Sequence, residues 1–181
     1  MKDPRKRRLS RVHQQLFGLT YLIGTEPELD PPEHIFIEPL ALLSLMQQLQ
    51  LKGTAQGGFV FGERLANSLS IHGFAPYGPR HHYASFNRGE WNLDYLLGYT
   101  DAMLTSHAGP VDWYGHWYAT ADAEKNNLEE DIHLFEAGRV KGLFDEFSPF
   151  LSVGWREGVL EIAAYRTVGN EIQSLPVTLP R

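Results

Sequence analysis

Histidines are the first candidates for chemistry in this sequence. His81 and His82 follow Gly78-Pro79-Arg80, and either could join His72, His107 or His116 in a metal site. Adjacent side chains point apart in extended backbone, so His81-His82 is a poor chelate by itself. Asp112 and His116 lie four apart and share a face of any regular strand, where a carboxylate could orient an imidazole toward Ser85, Ser106 or Thr120. No Gly-x-Ser-x-Gly elbow supports such a nucleophile, and structural polar pairing is the plainer account. Gly57, Gly58 and Gly62 lack the following Lys-Ser or Lys-Thr of a phosphate loop, so a close-packed strand explains them.

Composition narrows the chemistry further. The chain has no cysteine, which removes disulfides, thiolate ligands and cysteine nucleophiles and leaves histidine and carboxylate as the available metal ligands. With 181 residues, 43% of them hydrophobic, it can bury one full core, and nothing in it requires a second domain. A net charge of -6 argues against a general polyanion binder. Basic residues nevertheless crowd the start, at Lys2, Arg5, Lys6, Arg7, Arg8 and Arg11. Arg5, Arg7 and Arg8 could touch nucleic acid or an acidic partner; a solvated tail is the simpler reading.

Residues 1–33 read as an N-terminal extension: the basic arm, a short apolar run from Leu16 to Ile23, and a proline-rich break from Pro27 to Pro32. The apolar run lacks a small-residue cleavage site and leads into Glu26 and Glu28, so neither a signal peptide nor a membrane span is expected. A cytoplasmic location is the expectation that follows.

The elements that would position chemistry begin at His34. His34-Ile35-Phe36-Ile37 alternates as a short strand, and Pro39 opens a helix carried by Leu40, Leu42, Leu43, Leu45, Met46 and Leu49. Gly57 to Arg64 and Ser68 to Phe74 predict a hairpin. After a loop from Pro76 to Arg88, Trp91, Leu93, Leu96, Leu97 and Met103 mark a helix, and Val111 to Tyr118 a strand with four aromatics. From Asn127 the pattern is helical, with Leu128, Ile132, Leu134, Phe135 and Val140 as expected buried positions. Phe150 to Trp155 and Val159 to Tyr165 predict a last hairpin around Arg156-Glu157-Gly158.

That order of elements, with Gln56-Gly57-Gly58-Phe59-Val60-Phe61-Gly62-Glu63 and Gly115-His116-Trp117-Tyr118-Ala119-Thr120, resembles the JAB/MPN (JAMM) family of zinc metallopeptidase-like domains over residues 34–172. The resemblance implies an α/β fold, a cytidine-deaminase-like mixed β-sheet flanked by helices, forming a single domain over 34–181 behind the extension. In active members a glutamate is the general base, while a His-x-His pair and the aspartate of a Ser-x-x-Asp sequence hold zinc, leaving one position for an activated water. Carried onto this chain, the glutamate falls on Ala55, the histidines on Tyr118 and Thr120, the serine on Leu128 and the aspartate on Asp131. Only Asp131 is retained, and no His-x-His occurs anywhere in the sequence.

The expectation is therefore a degenerate member: no catalytic residue, no metal, no cofactor, and a role as a protein-interaction or scaffold module that binds a partner or itself. Trp113, Tyr114 and Trp117 are the candidate interaction side chains, since large amphipathic rings favour interfaces. Two alternatives stand beside it. One is a metal-dependent hydrolase, isopeptidase-like or peptidase-like, with relocated ligands among His81, His82, His107 and His116; the other is a nucleic-acid-associated module acting through the basic arm.

Overall fold

A computed structural model of the chain describes residues 30–50, 55–77, 92–107, 111–141, 143 and 147–180. Its elements are β1 (His34–Ile37), α1 (Pro39–Gln48), β2 (Gln56–Leu65), β3 (Ser68–Pro76), α2 (Leu93–Ser106), β4 (Asp112–Ala119), α3 (Leu128–Val140), β5 (Phe150–Arg156), β6 (Val159–Val168), β7 (Glu171–Leu175) and β8 (Val177–Thr178). The strands form one mixed sheet in the order β7-β6-β5-β4-β2-β3-β1-β8. Pairings β1–β3, β1–β8 and β4–β5 are parallel, and the remainder are antiparallel.

The sheet is nearly closed on itself. β7 pairs with β6 at one edge, β8 pairs with β1 at the other, and only Pro176 separates β7 from β8. The Ile35 amide donates to Pro176 O at 3.0 Å, and Arg166 reaches Pro32 O at 2.7 Å across the same seam. One short segment thus satisfies backbone groups that two open edges would leave exposed. The expected last hairpin is present, with Glu157 and Gly158 at φ 51° and 79°, the positive values a two-residue turn of the type I′ form requires. β7 and β8 were not expected, because Glu171-Ile172-Gln173-Ser174-Leu175 is polar at most positions and lies at the edge.

Two cores back the sheet. On one face α1 places Ala41, Leu45 and Leu49 among Ile35, Ile37, Val60, Ile71, Trp117 and Leu151. On the other, Leu96, Met103 and Phe135 of α2 and α3 meet Phe59, Phe61, Trp113, Phe150 and Tyr165. Gly58 belongs to the sheet for steric reasons: a Cβ there would stand within 1.8 Å of Ala75 O, so only glycine allows β2 and β3 to approach.

Three expectations are corrected by burial. The stripe of α3 that faces the sheet is Asp131, Phe135 and Gly138, whereas Leu128 and Val140 are 63% and 82% exposed and Ile132 is 37% exposed. Trp113 and Trp117 are both buried, on opposite faces, and Tyr114 packs against the α1 core, so β4 offers neither tryptophan to a partner. β4 is also irregular: its pairing with β2 shifts between Val60 and Phe61, which leaves Tyr114 as the extra residue. Trp113 and His116, three apart, therefore share a face and touch edge to face at 5.3 Å, and the expected alignment of Asp112 with His116 is lost.

Candidate functional site

The positions singled out in sequence gather at one end of the sheet. Gln56 pairs with Ala119 and Gly57 with Tyr118, so Ala55 enters β2 beside the exit of β4 that carries Tyr118 and Thr120. β5 runs parallel to β4 with Ser152 opposite Tyr118. Helix α3 starts over the same end. Asn127 caps it through a reciprocal capping box, its Oδ1 accepting from the Glu130 amide while its own amide donates to Glu130 Oε2, both at 3.0 Å. Glu129, Glu130 and Asp131 in the first turn suit the positive end of the helix dipole.

Asp131 is fully buried and does not face an open site. Its Oδ2 accepts from the Lys125 ammonium at 2.6 Å and from the Tyr165 hydroxyl at 2.8 Å. Lys125 spends its other donors on Ser152 Oγ at 3.0 Å and Asn126 O at 3.1 Å, and its side chain is only 4% exposed. The ammonium is thus paired and saturated, the one form in which a buried cation is tolerated. Burial first, then the bond to Asp131, pushes the Tyr165 phenol well above its ordinary range, so it remains a donor.

The loop that delivers Lys125 is laced to β5. Trp155 donates to Ala123 O at 2.7 Å and accepts from the Lys125 amide at 3.0 Å. Gly154 makes that approach feasible, because a Cβ there would come within 2.6 Å of the Lys125 nitrogen. Sequence reasoning passed over Lys125 and Ser152. A detectable signal existed: a lysine six residues before an aspartate that occupies a core-facing helical position.

The other positions that the resemblance singles out supply no ligand. Thr120 Oγ1 is turned into its own loop, 2.7 Å from Asp122 Oδ1 and 2.8 Å from Glu124 O. Burial, and then the carboxylates of Glu130 and Asp122, raise the Tyr118 phenol above its ordinary value, so it is no anionic ligand at neutral pH. Leu128 points to solvent. Tyr118, Asn126, Glu129, Glu130, His133 and Leu134 line a shallow depression over this region. Zinc does not fit these residues: the Asp131 carboxylate already holds a protein cation, and the neighbours are a neutral phenol and a loop-bound hydroxyl.

The histidines divide into separate places. His116 is fully buried, its Nδ1 3.1 Å from the Tyr77 hydroxyl, with the rings of Phe59 and Trp113 around it. His72 and His107 meet edge to face with ring centroids 5.1 Å apart. His81, His82, Ser85, Trp91 and the arm residues Arg5, Arg7 and Arg8 lie outside the described residues. Among the described residues no group of three or more histidines and carboxylates is placed to hold a metal ion, and no helix is long and apolar enough to cross a membrane.

Comparison with known proteins adds only fold. No family model and no curated protein matches the chain. Among solved structures it is similar to the solution structure of protein DSY2949 from Desulfitobacterium hafniense, with a TM-score of 0.55 and 8% identity over 81% of this chain and 92% of that one. At that identity the likeness concerns architecture: a mixed α/β domain.

Proposed function

We propose that the chain is a catalytically inactive JAB/MPN-like domain that works as a protein-interaction or scaffold module, through a partner or through self-association. The observation that carries this reading is the Lys125 ammonium on Asp131. At the position where the resemblance calls for a metal-binding carboxylate, a buried lysine supplies the positive charge, and the bases and ligands that would activate a water are replaced by Ala55, Tyr118 and Thr120. The mixed sheet flanked by helices supports the resemblance at the level of architecture. The acidic depression beside Tyr118 is the part of the former cleft left open to a partner.

Isopeptidase and peptidase turnover, measured with and without added zinc for the full chain and for Asp131→Asn, tests the reading. Neither protein should exceed background. Zinc-stimulated turnover that Asp131→Asn abolishes would overturn it.

A further inference from the structure

Resting on the reading of the depression beside Tyr118 as an interaction surface, we propose that its occupant is the basic arm of this same chain, Lys2 to Arg11. The arm docks in cis, and a partner must displace it to bind there. The depression encloses about 450 Å³, and its lining suits a cation carried on an aliphatic stem. Glu129 and Glu130 are exposed carboxylates, the half-buried Tyr118 offers an aromatic ring, and Leu134 offers apolar surface to the methylenes of an arginine or lysine. Among the described residues no lysine or arginine lines it.

A buried acceptor behind that lining points the same way. Asp131 is fully buried and bracketed by lining residues, with Glu130 before it and Leu134 one turn on. Its Oδ2 takes Lys125 and Tyr165, but its Oδ1 has no hydrogen-bond partner in the structure. An unmet buried acceptor costs free energy. A guanidinium, with five N–H donors in a planar fork, can serve an outer carboxylate while turning another donor inward. Lys125 cannot take this part, because Asp131 Oδ2, Ser152 Oγ and Asn126 O already engage its ammonium. The negative field is felt inside the depression, where the carboxylates of Glu130 and Asp122 add to burial in raising the Tyr118 phenol.

The arm has the matching charge and the reach. Residues 1–12 carry Lys2, Arg5, Lys6, Arg7, Arg8 and Arg11 against Asp3, a net +5, so the rest of the chain carries -11 of the total -6. Exposed charges are screened over about 8 Å at physiological salt, so this attraction acts only where the arm lies on the carboxylates themselves. The arm is outside the described residues, which begin at Asp30. There the chain is fastened, Asp30 O accepting from Arg64 and Pro32 O from Arg166. Arg64 stands near the Leu65 end of β2 and the depression at its Gln56 end, about 30 Å away along the strand. The 18 residues between Arg11 and Asp30 can span at most about 60 Å, twice that distance. Tethering makes the encounter intramolecular, which lets individually weak surface ion pairs add up.

The absence of cysteine allows a direct test, since Ser10→Cys gives the full chain a single site for a nitroxide label. Amide NMR signals of Tyr118, Asn126, Glu129, Glu130 and His133 should broaden relative to the reduced label, and dilution should not change the effect. Broadening should be lost at about 1 M salt, where screening acts within about 3 Å. It should also be lost in the double variant Glu129→Gln with Glu130→Gln, which keeps the helix start because glutamine serves in a capping box as glutamate does. Glu171→Gln, on the β7 edge three strands from β4, should leave it unchanged. Broadening absent, centred elsewhere, indifferent to salt or the double variant, or passed only between labelled and unlabelled chains would each overturn the assignment. Turnover with added zinc is independent of this readout, so a failed docking removes the occupant without touching the inactive-module reading.

Discussion

Asp131 and His116 are both fully buried on the face of the sheet covered by α2 and α3, yet the fold accommodates them in opposite ways. Asp131 is met by a phenol and by the ammonium of a serine-anchored lysine. His116 meets the Tyr77 hydroxyl and the rings of Phe59 and Trp113. A carboxylate in the interior must be matched by positive charge, whereas an imidazole can be carried neutral. The first region is consequently fragile toward loss of a single partner, and the second is tolerant.

Asp131→Ala should break that contrast most severely. It leaves the Lys125 ammonium buried and unmatched, a loss of about 3–5 kcal/mol by denaturant titration, and Lys125→Met should cost a similar amount. The double variant Asp131→Leu with Lys125→Met should recover most of the loss, because an apolar pair of similar volume is often as stable as a buried ion pair. A double variant no better than the sum of the singles would show that the site needs charge for another reason.

Tyr165→Phe comes next. It removes a hydrogen bond to a charged group, worth about 1.5–3 kcal/mol. Tyr77→Phe removes a hydroxyl–imidazole hydrogen bond in the other region and should cost only about 1 kcal/mol at neutral pH. The same variant sharpens the pH behaviour. Burial raises the Tyr77 phenol above its ordinary value of 10.0, so the folded state keeps its proton where the unfolded chain loses it. The stability this gives is fully present below that value and falls as pH rises above it. In Tyr77→Phe the alkaline decline should be shallower, by unfolding measured between neutral pH and pH values above about 10. Asn127→Ala, which removes the cap over the depression without touching the ion pair, should cost about 1 kcal/mol.

Local pattern made much of the fold legible. β1, α1, the β2–β3 hairpin, α2 and the β5–β6 hairpin fall where alternation, helical spacing and turn residues put them. It failed where tertiary context overrode pattern. On α3 the apolar Leu128, Ile132 and Val140 face outward, while Asp131 faces in. A reading by hydrophobicity rejects aspartate from the core, because it has no view of the lysine six residues earlier that folds back over β5. The tryptophans of β4 were misplaced for a similar reason: period-2 alternation assigns one face to solvent, but this sheet is covered on both faces and its strand is bulged at Tyr114.

By itself, then, the sequence determined that this is a cysteine-free α/β chain with no His-x-His pair and with Asp131 in a helical segment, since residue types and local periodicity are properties of single segments. Only the tertiary structure decided what became of that carboxylate and which histidines meet. Lys125 with Asp131, and His72 with His107, are contacts between segments brought together by sheet order and helix placement, and no local rule contains them.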